Sequence, residues 1–143
     1  MSEILPPPDQ LYANEKPGIR YYLILAALPL LPLELDRQTY HQEALEIRKN
    51  FDDKMKYAIA QEVQGNQIQA ISICEQLIEQ ACDDIYPYHY LAKIFAERGD
   101  EAGLLRTSKA FYNLVDSIEK NGINRPDLIA MLPVFVDDES RGR

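Results

Sequence analysis

The sequence predicts an all-α fold in which antiparallel helical hairpins stack as a short array. Three observations carry this prediction: apolar residues recur at helical spacing, glycines stand where hairpin turns belong, and no strand-like alternation extends beyond a few residues. The 143 residues are 46% apolar and 27% charged, which fits one globular domain. We expect residues 1–16, with three consecutive prolines, to form a mobile tail, and residues 17–143 to form a single α-helical domain.

The first hairpin is predicted from two apolar stripes that a glycine separates. Thr39, three residues before Gln42, has the form of a capping box, so we expect a helix over 39–64. Gly65 ends this helix, and Asn66 caps a second helix that carries both cysteines of the chain.

The second hairpin follows the same pattern. A third helix is expected to begin around Tyr86-Pro87, where proline suits the first helical turn, and to end at Gly99. Asp100 caps a fourth helix that ends at Asn121-Gly122. A shorter capping helix is expected over about 126–135, so the array is closed on its C-terminal side.

An uncharged run of thirteen residues, Tyr21–Leu33, precedes the first hairpin. It is too short to span a bilayer, which takes about 20 apolar residues, and Pro29 and Pro32 interrupt it. Membrane contact is therefore not expected. The run is either a buried segment that caps the first helix or a surface for a partner, and a second copy of the chain is left open as the cap.

The spacing of the turns indicates an internal repeat. Gly65 and Gly99 lie 34 residues apart, and each follows an alanine by seven residues. This arrangement resembles the tetratricopeptide repeat (TPR), with units at about 51–84 and 85–118. A generic array of helical hairpins stays open as the alternative. The resemblance implies close helix crossings at small residues: Ala58, Ala70, Ala92, and Gly103 or Ala110.

Composition excludes several classes of function. The net charge of −8 repels nucleic acids and anionic membranes, so neither is expected as a partner. Two cysteines are too few for the disulfide framework of a small secreted protein. The first twenty residues also lack a basic stretch followed by an apolar run, which is the pattern of a signal peptide. We therefore expect a cytoplasmic location.

The chemistry-bearing residues favour a protein without enzymatic activity. The sequence has no phosphate-binding loop, zinc-protease motif, hydrolase motif or Cys-x-x-Cys pair. Cys74 and Cys82 are interpreted as buried thiols, and the aspartate pairs, Asp83-Asp84 among them, as solvated or helix-start charges. No catalytic residue, cofactor or metal site is therefore predicted, and an enzyme on a helical scaffold is the weakest alternative.

The resemblance implies a partner-binding groove lined by the first helix of each unit. Carried over residue by residue, its positions are Met55, Ile59, Glu62, Tyr86, His89, Tyr90 and Lys93. The lysines and asparagines with which TPR proteins hold a peptide carboxylate are replaced here by apolar and aromatic residues, so an apolar strand or amphipathic helix is the expected ligand. The predicted function is that of an adaptor or assembly chaperone. Two alternatives stay open: packing of these side chains by the N-terminal segment, and a structural subunit or inhibitor that binds through its acidic surface.

Overall fold

The all-α prediction is confirmed by the computed structural model, which describes residues 14–141, with side chains described for residues 14–133. The described chain contains six α-helices and no strand, and a short 3-10 turn, Leu28–Leu30, follows the first helix. The helices are α1 (Pro17–Ala27), α2 (Glu34–Val63), α3 (Gln67–Glu79), α4 (Ile85–Arg98), α5 (Glu101–Lys120) and α6 (Pro126–Arg141). Each helix packs against the next along the chain. Most of the expected tail, residues 1–13, lies outside the described residues, as do the side chains of Asp137 and Asp138.

The two glycine turns have the same backbone structure, as the sequence predicts. Gly65 and Gly99 adopt positive φ angles of 82° and 67°. At each turn, the amide of the glycine and the amide of the next residue donate to carbonyls in the last turn of the preceding helix, at 3.0 and 2.8 Å beside Gly65 and at 3.1 and 2.8 Å beside Gly99. The same hydrogen-bonded turn thus recurs after 34 residues.

Two predicted helix boundaries and one predicted side-chain cap are wrong. The helix α2 begins at Glu34, so Thr39 lies within it and its hydroxyl donates to the Leu35 carbonyl at 2.9 Å instead of capping the helix. Asn66 stands at the cap position of α3, but its side chain donates to Gln61 at 2.9 Å. The last helix continues to Arg141 with Pro133 inside it. Asp100, by contrast, caps α5 as expected, since its carboxylate accepts from the Gly103 amide.

The uncharged run folds against the front half of α2. Ile24 and Leu31 are 0% and 2% exposed and form a cluster with Tyr40 and Ala44 of α2. The same run leaves Leu30 80% exposed, so it is buried on one side only. It therefore caps the first hairpin, as the buried-segment interpretation predicts, while presenting apolar side chains outward.

Two further clusters hold the rest of the molecule together. One joins the second half of α2 to α3 and α4; the other joins α1, α4, α5 and α6. Ala58 and Ala70 are completely buried in the first cluster. A Cβ added at Gly103 would lie 2.8 Å from the Phe95 ring, whereas Ala110 is half-buried. The close crossing of α4 and α5 is thus at Gly103, and not at Ala110.

The start of α1 touches the backbone at the end of α3. The Gly18 amide donates to the Gln80 carbonyl at 2.9 Å. Ala81, which takes a positive φ of 58°, brings its carbonyl so close that a Cβ at Gly18 would lie 1.7 Å from it. Only glycine fits this contact.

Candidate functional site

The candidate site lies where α2 and α4 face each other. Tyr86 and Tyr90 stand one turn apart on α4 and stack, with ring centroids 5.8 Å apart and an interplanar angle of 12°. The Tyr86 hydroxyl donates to the Glu62 carboxylate on α2. This hydrogen bond fixes the outer ring of the stack against the neighbouring helix, so the surface is formed before any partner arrives.

An apolar ridge follows α2, the helix whose Glu62 holds the tyrosine stack. Met55, Ile59 and Val63 follow one another at four-residue intervals and therefore share one side of the helix. Their exposed fractions rise along the ridge, from 8% to 40% to 81%. Sequence reasoning missed Val63, although one more four-residue step from Ile59 would have found it. We call the tyrosine stack, this ridge and Glu62 the α2–α4 surface.

The structure brings together most of the seven predicted site residues. Met55, Glu62, Tyr86 and Tyr90 lie in or against one core cluster. Met55 and Tyr90, which were expected to line an open groove, are only 8% and 5% exposed, so that expectation is wrong for them. Both side chains belong to the core cluster that joins α2, α3 and α4, and we call this buried pair the floor of the surface. His89 and Lys93 are exposed side chains of α4.

The N-terminal segment does not cover this floor. Its buried residues Ile19, Tyr22, Ile24 and Leu31 belong to the other two clusters, and no residue of 19–31 lies in the cluster that contains Tyr90. The alternative that the N-terminal segment packs over the site is therefore wrong for residues 14–33, the part of the segment that the structure describes. Ile59 and Val63 are left as exposed apolar side chains on α2.

Carboxylates set the electrostatics of the α2–α4 surface. Burial, followed by the hydrogen bond and charge of Glu62, raises the pKa of Tyr86, so its hydroxyl stays protonated and donates to that carboxylate. Burial and then the charge of Glu62 also raise the pKa of Tyr90, while Glu97 adds to the shift and Arg98 opposes it. Glu62 thus acts on both rings of the stack, whereas Glu97 and Arg98 act on Tyr90 in opposite directions.

Both cysteines are buried, as the sequence predicts. Cys74 and Cys82 are each 0% exposed, and burial raises the pKa of each thiol to about 12. Cys82 follows α3 in the connection to α4, so the expectation that both cysteines share one helix is wrong. Such thiols are protonated at neutral pH and are poor nucleophiles. No group of three or more potential metal ligands occurs within the described part of the chain.

A buried ionic cluster was not predicted. Asp83, expected at a solvated surface, is 3% exposed, and its carboxylate accepts from Arg48 at 2.8 Å and Arg125 at 2.7 Å. The Tyr22 hydroxyl donates to the same oxygen. We call these four residues the Asp83 cluster. Asp84 fits the helix-start interpretation, since its carboxylate accepts from the Tyr86 amide at 2.9 Å.

The Asp83 cluster joins four parts of the chain. Tyr22 lies on α1, Arg48 on α2, Asp83 between α3 and α4, and Arg125 between α5 and α6. Burial alone would lower the pKa of Arg48, but the hydrogen bond and charge of Asp83 outweigh burial and the pKa rises. The Arg48 guanidinium also lies 4.6 Å from the centre of the Tyr21 ring. These contacts indicate a structural role, because each arginine is neutralised and held by groups of the chain itself.

Among residues 14–141, no helix combines the length and the apolar character that crossing a membrane requires.

Comparison with protein-family models, with curated proteins and with solved structures finds no match to this chain.

Proposed function

We propose that the protein is a non-enzymatic protein–protein interaction module whose α2–α4 surface binds an apolar strand or an amphipathic helix of a partner. The observation that carries this proposal is the pair of exposed residues Ile59 and Val63 on α2, the helix whose Glu62 holds the tyrosine stack in place. Met55 and Tyr90, which form the floor, are already buried. A ligand that covers Ile59 and Val63 therefore removes the most additional apolar area from water.

The physics of the surface favours recognition by apolar burial. Removing apolar area from water contributes roughly 25 cal/mol per Å² before association costs are subtracted. Tyr86 is already held by Glu62, so little of that gain is spent on ordering its ring.

We further propose that α2–α5 form two TPR-like units and that the protein acts as an adaptor or assembly chaperone in the cytoplasm. The identical turns at Gly65 and Gly99 and the buried small residues Ala58 and Ala70 support the repeat. The acidic composition and the two buried, unpaired thiols support the compartment.

The test is to capture the partner from the native source, identify it, and titrate it against two matched variants by calorimetry. Ile59→Asp places a charge on the ridge, and we expect binding to weaken by about tenfold or more, or about 1.4 kcal/mol. Tyr57→Asp is the control: it lies on the same helix, is 51% exposed, and stands 200° around the axis from Ile59 at about 100° per residue. Its affinity should equal that of the wild type.

Equal affinity of both variants, together with a steep loss of binding at high salt, would contradict the proposal. That combination would assign recognition to the acidic surface, because salt screens exposed charges and leaves apolar burial nearly unaffected.

A further inference from the structure

We draw no further inference here: the strongest candidate, the cleft of about 330 Å³ between the start of α1, the end of α3 and the second half of α5, carries nothing because nothing in the structure shows what fills it.

Discussion

Replacing Asp83 by asparagine is expected to lower the free energy of unfolding by about 2–4 kcal/mol. The carboxylate pairs with Arg48 and Arg125 and accepts from Tyr22, and an amide of the same size supplies no charge. The two arginine side chains are 31% and 27% exposed, so water compensates part of the loss. Urea unfolding of Asp83→Asn, followed by far-ultraviolet circular dichroism, measures the change.

Asp127→Asn is the matched control. Asp127 also pairs with Arg125, at 2.8 Å, but its side chain is 53% exposed. The loss there should stay below about 1 kcal/mol, as for other surface ion pairs. If Asp83→Asn and Asp127→Asn unfold at the same urea concentration, the Asp83 cluster does not hold the four segments together.

Replacing Gly18 by alanine is expected to destabilise the protein by about 2–4 kcal/mol. This reverses the usual effect in a helix, where alanine is the better residue by about 1 kcal/mol. The added Cβ would lie 1.7 Å from the Ala81 carbonyl oxygen, which belongs to the backbone, so α1 must shift and its hydrogen bond to Gln80 is weakened. Thermal unfolding by calorimetry measures the loss.

The control for Gly18 is the opposite exchange on the same helix. Ala26 is exposed on α1, and Ala26→Gly should cost about 1 kcal/mol from helix propensity alone. A Gly18→Ala variant as stable as the wild type would show that α1 does not depend on this close contact with the end of α3.

The sequence predicts the hairpins of this fold well because their signals are local. Gly65 and Gly99 end helices through hydrogen bonds that reach only a few residues back, so a glycine after an apolar stripe is sufficient evidence. The start of α2 was missed because it depends on a contact with another segment and not on a local signal. Thr39 has the form of a cap, but the apolar contacts of Tyr40 with the preceding segment extend the helix to Glu34.

The candidate site was predicted in part. The resemblance to the TPR placed Glu62, Tyr86 and Tyr90 along one groove, but it does not reveal that Tyr90 packs inward and is only 5% exposed. The Asp83 cluster could not be predicted, because its partners lie 35 to 61 residues away along the chain and only the packing of four segments brings them together. A buried aspartate and an exposed one are indistinguishable in a single sequence.

Site-specific photocrosslinking tests most directly whether the α2–α4 surface carries recognition. A benzophenone amino acid is introduced at Val63, on the exposed end of the ridge, or at Tyr57, which is also exposed on α2 but on its other side. Each protein is irradiated with the captured partner, and the product is identified by mass spectrometry. We expect a crosslink from position 63 to an apolar segment of the partner and none from position 57. A crosslink from position 57 alone would contradict binding at the α2–α4 surface.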